Sequence, residues 1–291
     1  MSVLDPRDLT PEEIEAYDRD GVVALRRALD PVWIAALRDA VDEVLARPGE
    51  QGKNYPDMGS GRFGYDTFMW LRHPVFREFQ RASPLPSFAA QIMRSSRSFL
   101  TVDLLFVKEP ATPNPTPWHQ DQPYGWYDGW QVCSFWVPLD PVTIESGALE
   151  WVVGSHKWNR WFSPIGFDPS QYLGSRQFEP MIDVEAERDR HRIVHFDMEP
   201  GDILVHQLLT LHGAPGNASK ERRRRAIAFR YAGDDARYAV RDMGPKPIRD
   251  PGLKAGDRFG CPLFPQVWPR EGLQIPADGG IQSIERPQGE A

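Results

Sequence analysis

The sequence predicts a mainly β protein with flanking α-helices, an antiparallel sandwich or jelly roll behind a helical N-terminal third. Three observations predict it. Short alternating or β-rich runs recur from Thr101 to Tyr231, with Gly, Pro, Asn or Asp turns between them. These runs do not alternate with helices, so the βαβ rhythm of a parallel sheet is missing. Helical periodicity is found ahead of them, before Leu100. A length of 291 residues suits one domain of this class, and no internal repeat divides it. We expect a single domain over 1–291, with helical support over 9–100, a jelly-roll core over 101–235, and a flap and tail over 236–291.

Each element has a local reason. Thr10 is an N-cap, Pro11 takes the first helical position, and Glu13 completes a capping box. Ile14 and Tyr17 continue the apolar face until Gly21 ends the helix, and Val22–Leu25 follows as a short strand. Asp30-Pro31 caps a second helix with Ile34, Leu37, Ala40, Val41, Val44 and Leu45 on one face. Residues 48–64, rich in Gly, Asn, Pro and Asp, read as a loop. Helices are expected between Phe68 and Leu100, with Phe76, Phe79 and the run Phe88–Met93 on their apolar faces. Val132–Leu139, Leu149–Val153, Ile193–Phe196, Ile203–Leu211 and Arg225–Tyr231 read as strands, with turns at Ser146-Gly147, Gly154-Ser155 and Pro200-Gly201-Asp202. Beyond Gly244, Phe259–Trp268 is expected to pack as an ordered flap and residues 272–291 to form a loose tail.

Bulk properties exclude several function classes. A net charge of −7 argues against general affinity for nucleic acid. Two cysteines, Cys133 and Cys261, offer no disulfide framework and suggest a reducing compartment. No positive segment followed by an apolar stretch occurs in Met1–Arg19, and no run of 18 apolar residues occurs anywhere, so the expectation is a cytoplasmic protein without a membrane span. Its partner is expected to be a small-molecule substrate, and nothing in the sequence sets its oligomeric state.

The chemistry centres on Trp118-His119-Gln120-Asp121. In an extended segment, residues two apart share a face, so His119 and Asp121 would offer one nitrogen and one oxygen donor to a common point. That is two-thirds of the 2-His-1-carboxylate set that holds non-heme Fe(II) and leaves positions open for oxygen chemistry. A second triplet, His195-Phe196-Asp197, runs straight into a turn. For the third ligand, His212 stands at a strand end beside a Gly-Ala-Pro-Gly-Asn loop and is preferred over His206, which reads as a core histidine or one supporting a ligand. The run Arg222-Arg223-Arg224-Arg225 enters a β-like segment, where alternation sends Arg222, Arg224, Ala226 and Ala228 to one side and Arg223, Arg225, Ile227 and Phe229 to the other. One inward arginine beside a metal is what a dicarboxylate co-substrate needs, because guanidinium stays charged and grips carboxylate with two parallel donors. Lys108 ends the apolar face Val102-Leu104-Phe106; it reads either as a strand-end lysine reaching for water or as a cation facing an acidic co-substrate. Tyr124, Trp126, Tyr127 and Trp130 line a pocket mouth or join the core, and Tyr124 and Trp126 are the candidates for substrate contact.

In order and spacing, six blocks resemble the phytanoyl-CoA dioxygenase family: His119-Gln120-Asp121; Trp136-Val137-Pro138-Leu139; Glu145-Ser146-Gly147-Ala148-Leu149 with Gly154-Ser155-His156-Lys157; Gly201-Asp202; His212-Gly213; and Arg224-Arg225-Ala226-Ile227. The resemblance covers residues 9–232. It implies a double-stranded β-helix (cupin-like jelly roll) and an oxygenase that uses Fe(II), 2-oxoglutarate and O2 to hydroxylate an unactivated C–H of a small molecule, releasing succinate and CO2. It further implies His119, Asp121 and His212 as catalytic metal ligands, Arg224 on the distal 2-oxoglutarate carboxylate, Trp136 beside the co-substrate, and Lys108 as a further co-substrate contact. Asp121 matters to the outcome: relatives that halogenate lack this carboxylate, so its presence favours hydroxylation or another oxidation. Two positions depart from the family pattern. Ala214 stands where many members carry a serine on the distal carboxylate, and the His206-to-His212 spacing is one residue longer than usual, which keeps Arg223 as the alternative to Arg224. Two other classes stay open: a cupin-type metal enzyme that does not use 2-oxoglutarate, and a non-catalytic jelly-roll binding protein.

Overall fold

In a computed structural model, residues 7–55, 63–165, 177–241 and 245–270 are described. The predicted start is present in full. Thr10 caps α1 (Pro11–Asp20) with the reciprocal Glu13 bond, and Gly21, at φ 79°, closes it by donating its N–H to the Tyr17 carbonyl. Such a cap is worth about 1 kcal/mol. β1 (Val22–Leu25) leads to α2 (Pro31–Ala46), capped by the Asp30 side chain on Val32 N–H. The expected loop over 48–64 is instead partly strand: β2 (Lys53–Tyr55) pairs with β3 (Phe63–Thr67). Phe63, Tyr65 and Thr67 alternate, but the polar composition just before them hides the pattern. α3 (Met69–Arg72), α4 (Pro74–Ala82) and α5 (Leu85–Ile92) follow, and then β4 (Ser98–Lys108), three residues longer at its start than expected.

The remaining elements are β5 (Thr116–His119), β6 (Tyr127–Asp128), β7 (Val132–Pro138), β8 (Glu150–Val152), β9 (Ile193–His195), β10 (Ile203–Gln207), β11 (His212–Ala214), β12 (Arg224–Ala232), β13 (Arg237–Tyr238) and β14 (Gln266–Trp268). Among the described residues these strands all pair antiparallel. The larger sheet runs β1-β10-β7-β12-β4-β3-β2, with β14 also on β4, and the smaller runs β5-β11-β8-β9. This is the expected jelly-roll architecture, two sheets facing each other with their strands interleaved along the chain.

One correction concerns Ile203–Leu211, read as a single strand. The chain leaves the larger sheet after Gln207, turns through Leu208–Thr210, and enters the smaller sheet at His212. Gln207 drives the break: its side chain caps Leu209 N–H, and its backbone carbonyl accepts from Thr210. His206 and His212 therefore sit on opposite sheets rather than on one strand face.

The outer face of the larger sheet is covered by helices. Trp33 of α2 meets Phe79 of α4 edge-on at 5.2 Å, and Phe79 stacks on Phe229 of β12 at 5.0 Å. The C-terminal flap is ordered as expected: Phe259, Leu263, Phe264 and Val267 are buried, and Phe264 stacks on Trp126 at 5.8 Å. The tail predicted over 272–291 lies outside the described residues. With helices on one face of the larger sheet, its other face is left to line a cavity.

Candidate active site

The cavity between the sheets has a volume of about 560 Å³. Its floor follows from cross-strand register. β12 pairs Arg224 with Lys108 and Ala228 with both Leu104 and Trp136, so alternate residues of three strands point inward together. Phe63, Tyr65, Leu104 and Phe106 give it an apolar wall, while His119, Asp121, His206, His212, Arg224 and Arg230 give it a polar one.

His119, Asp121 and His212 converge: a ligand atom from each lies within 4.8 Å of the others. His119 and His212 are direct neighbours across the β5–β11 ladder, with ring centroids 4.1 Å apart. Asp121 arrives differently from the extended reading. β5 stops at His119, and Asp121 takes a helical turn (φ −78°, ψ −33°) with its N–H on the Leu208 carbonyl. The intervening Gln120 enforces that bend. It is buried, donates to the Arg160 and Leu209 carbonyls, and accepts from Phe162 N–H. Asp121 Oδ1 ends 3.5 Å from His119 Nε2 and 3.9 Å from His212 Nε2.

The ring orientations suit a metal. His119 Nδ1 lies 2.7 Å from the Pro117 carbonyl and His212 Nδ1 lies 2.9 Å from the Thr210 carbonyl. Each carbonyl accepts the Nδ1 proton, which leaves Nε2 as the lone-pair nitrogen facing Asp121. Burial, reinforced by the neighbouring His119, holds the His212 pKa well below its usual value, so the ring is neutral. Burial alone would raise the Asp121 pKa; the Arg230 charge, then His212 and the His119 and His206 hydrogen bonds, outweigh it and hold the group well below the carboxylate range. Neutral imidazoles and an ionised carboxylate are the protonation states metal binding requires.

His206 approaches from the opposite sheet, with Nε2 3.1 Å from Asp121 Oδ2, the oxygen turned away from the other two histidines. The rival triplet is nowhere near: His195 and Asp197 are exposed on and beside β9, the edge strand of the smaller sheet.

The arginine run separates cleanly. Arg222 pairs with Glu145, Arg223 with Glu109 and Asp42, and Arg225 with Asp140 and Asp42. Arg224 points inward, 2% exposed, and among the described residues it has no carboxylate and no hydrogen-bond acceptor. Its guanidinium lies over the Trp136 ring at 5.6 Å. Burial pulls its pKa down to about 10. Lys108 is buried beside it, its Nζ donating to the Pro215 carbonyl at 2.7 Å, and burial together with Arg224 lowers its pKa well below the usual value. Two adjacent buried basic groups, neither of them in an ion pair among the described residues, are costly to hold. A bound dicarboxylate would offset that cost, so these residues fit the co-substrate that the sequence blocks imply.

Tyr124 lines the same cavity, its ring edge-on to His119 at 5.8 Å. Trp126 is not brought there. It packs between Phe68 and Phe264, its indole N–H donating to the Pro245 carbonyl, and it faces a neighbouring cleft. Among the cavity residues that escaped the sequence reading are Arg230, Ser134, Thr116, Phe63 and Tyr65. Arg230 continues the inward series 224, 226, 228, and that parity was the available signal.

The phytanoyl-CoA dioxygenase (PhyH) family profile matches residues 17–226. The chain belongs to the phytanoyl-CoA dioxygenase family. It is accordingly a non-heme iron dioxygenase dependent on 2-oxoglutarate and O2, and the His119–Asp121–His212 cluster is a set of three donors close enough together to hold a metal ion. Related proteins in the family include a probable phytanoyl-CoA dioxygenase of Caenorhabditis elegans, 21% identical over 78% of this chain and 76% of its own. Dioxygenase lolE1 of Epichloe uncinata is 24% identical over 80% of this chain and 87% of its own. Among solved structures, the non-heme α-ketoglutarate-dependent carbocyclase SnoK from nogalamycin biosynthesis superposes with a TM-score of 0.70 at 24% identity, covering 89% of this chain and 96% of SnoK. The epimerase SnoN, solved with Fe3+, α-ketoglutarate and nogalamycin RO, superposes with a TM-score of 0.69 at 21% identity over 88% of this chain and 97% of SnoN. At these identities the superpositions speak to fold. No helix among the described residues is long and apolar enough to cross a membrane.

Proposed function

We propose that the protein hydroxylates an unactivated C–H of a largely apolar small molecule, with His119, Asp121 and His212 holding Fe(II) and Arg224 anchoring the distal carboxylate of 2-oxoglutarate. The observation that carries this is the buried, anion-free Arg224 in the same cavity as the triad. A cupin-type enzyme without 2-oxoglutarate would have no use for a desolvated guanidinium held at a cost of several kcal/mol.

When bound, iron and 2-oxoglutarate supply an oxidant able to take hydrogen from unactivated carbon, with succinate and CO2 released. The chain's own residues bind, orient and exclude water. Three protein ligands leave positions on the metal for co-substrate and O2. His206 and Arg230 hold the two oxygens of Asp121 and so fix the direction of that ligand. Trp136 packs beside Arg224 and keeps water off the co-substrate end. Thr116 stands across the ladder from Ala214 and lines the cavity, and to it we assign the part of the serine missing at that position. The cavity is larger than 2-oxoglutarate alone occupies, and the remainder, walled by Phe63, Tyr65, Leu104 and Phe106, is the substrate compartment. The carbocyclase and epimerase structures show that this fold hosts other oxidative outcomes; Asp121 fills the third protein ligand position and so favours hydroxylation or another oxidation over halogenation.

The test is anaerobic addition of Fe(II) to apoprotein and then 2-oxoglutarate. A saturable visible charge-transfer band is expected. Metal binding without the band would transfer the site to a cupin-type enzyme that does not use 2-oxoglutarate, and absence of both would leave only the jelly roll.

A further inference from the structure

The apolar walls of the cavity are held in two different ways. Phe63, Tyr65, Leu104 and Phe106 stand on β3 and β4, so the ladder register of the larger sheet fixes them. Pro164 and Ile165 line the same cavity from an irregular segment that belongs to neither sheet. Where that second wall stands is set by side chains, and two of them come from the stretch that carries two of the metal ligands. Gln120, between His119 and Asp121, donates to the Arg160 carbonyl at 3.0 Å and accepts from Phe162 N–H at 2.9 Å. Tyr124, three residues beyond Asp121, uses its hydroxyl twice on one residue. It donates to the Ile165 carbonyl at 2.5 Å and accepts from Ile165 N–H at 2.6 Å. Glu179 closes the other side, its backbone bonded to both Trp161 and Ser163.

The wall is thereby placed relative to the ligands themselves. The Tyr124 ring packs edge-on against His119, with centroids 5.8 Å apart, and its N–H donates to the Asp121 carbonyl at 3.2 Å. One residue thus touches both ligands of the motif and the wall that faces them. Burial pushes the Tyr124 pKa well above its usual value, so the hydroxyl keeps the proton it donates. Hydroxylation of unactivated carbon depends on which carbon is held nearest the oxidant, and a misplacement of about 1 Å can cost about 100-fold in rate. We propose that Ile165, with Pro164, is the stop that sets how far an apolar substrate reaches past the metal ligands, and that Tyr124 is the positioning residue that holds this stop in place. Ile165 is then the specificity-determining residue for substrate length. The step rests on the iron and 2-oxoglutarate reading given above.

The test uses protein loaded with Fe(II) and saturating 2-oxoglutarate without oxygen. Primary alcohols from 1-butanol to 1-decanol are titrated one by one, and the perturbation of the charge-transfer band is read. In the unaltered protein, affinity is expected to rise about fourfold per added methylene and then to break at one chain length. In Ile165→Ala the break is expected to move out by about two carbons, while shorter alcohols bind as before. A general loosening of the fold would weaken the short alcohols too. Ile165→Phe should move the break the other way. Tyr124→Phe keeps the ring beside His119, so the band should still form, but the break should lose its sharpness because Ile165 can yield. An unmoved break in Ile165→Ala overturns the proposal, and so does a break that moves in Phe106→Ala instead. A sharp break at the original length in Tyr124→Phe overturns the part given to Tyr124. Alcohols that leave the band unchanged at every length also overturn the proposal, since no apolar ligand would then sit before the metal. If Tyr124→Phe does not fold, the opposite shifts of the two Ile165 variants still decide. Failure of the parent reading looks different: no band forms before any alcohol is added.

Discussion

Two His-x-Asp triplets in this chain are alike in sequence and opposite in fate. His119-Gln120-Asp121 starts on a strand facing the cavity and bends at Gln120, so that Asp121 turns under both His119 and His212. His195-Phe196-Asp197 ends an edge strand and leaves both polar side chains in solvent. The motif alone therefore carries little. What makes a site is a partner strand that delivers the third ligand, together with groups around the carboxylate that keep it ionised and aimed. Only the first triplet has these: His212 across the ladder, and His206 and Arg230 on the two Asp121 oxygens.

The largest effect should come from deleting the two carboxylates in parallel. Asp121→Ala is expected to abolish the charge-transfer band and lower succinate release by about 100-fold or more, since a ligand and the counter-charge of Arg230 go together. Asp197→Ala should leave both unchanged. An intact band in Asp121→Ala, or a lost one in Asp197→Ala, would reverse the comparison.

The arginine run offers the next contrast, again between near-identical neighbours. Arg224→Ala should raise the 2-oxoglutarate concentration needed for half-saturation by about two orders of magnitude, the scale set by losing a desolvated charge pair. Arg223→Ala removes a partly exposed pair with Glu109 and Asp42, and should change that concentration by less than about twofold. Equal effects would mean that register, not burial, had misassigned the clamp. A third contrast pits His206 against His212. His212→Ala should lose iron outright, whereas His206→Ala should keep it with affinity reduced by about tenfold, the usual cost of removing a group that orients a ligand. Metal content after gel filtration separates the two.

These contrasts also mark what was legible in the sequence. Capping residues and apolar periodicity located α1 and α2 because those signals are local. His119, His212 and Arg224 were legible from strand ends, alternation and order along the chain, whereas Asp121 was picked by an extended spacing that the structure replaces with a turn, although it still meets the two histidines. The strand at Phe63–Thr67 was hidden by the polar segment before it, and the break at Gln207 by an apolar run that continues across a change of sheet. Trp126 was misread as a substrate contact because an aromatic side chain has the same sequence signature in a core as at a pocket mouth. Arg230 was missed because its role depends on Asp121 bending out of its strand, which rests on the side-chain bonds of Gln120 to residues 40 and 89 positions away.

The smallest expected effect on the active site, though not on stability, concerns a second pair of like residues, the buried carboxylates Asp121 and Asp103. Asp121 has Arg230 beside it, whereas Asp103 on β4 has no cation partner among the described residues. Asp103 Oδ2 accepts from Trp70 N–H at 2.9 Å, and Oδ1 has no partner. Burial, only partly offset by backbone hydrogen bonds, pushes its pKa up to about 7. The unfolded value is about 3.9, so between roughly pH 4 and pH 7 the folded chain holds a proton that the unfolded chain has released. Stability from this group must then fall as pH rises through that window and level off above it. The Asp121 contribution has the opposite sign and is lost only as pH drops below the normal carboxylate range, so the two do not overlap. Asp103→Asn cannot ionise. It should raise urea stability at pH 8 more than at pH 5, the gap being on the order of 2 to 3 kcal/mol for the two units left before the plateau near pH 7, and so flatten the slope between them. A slope equal to that of the unaltered protein would show that Asp103 is ionised in the fold after all, held by water rather than by its proton.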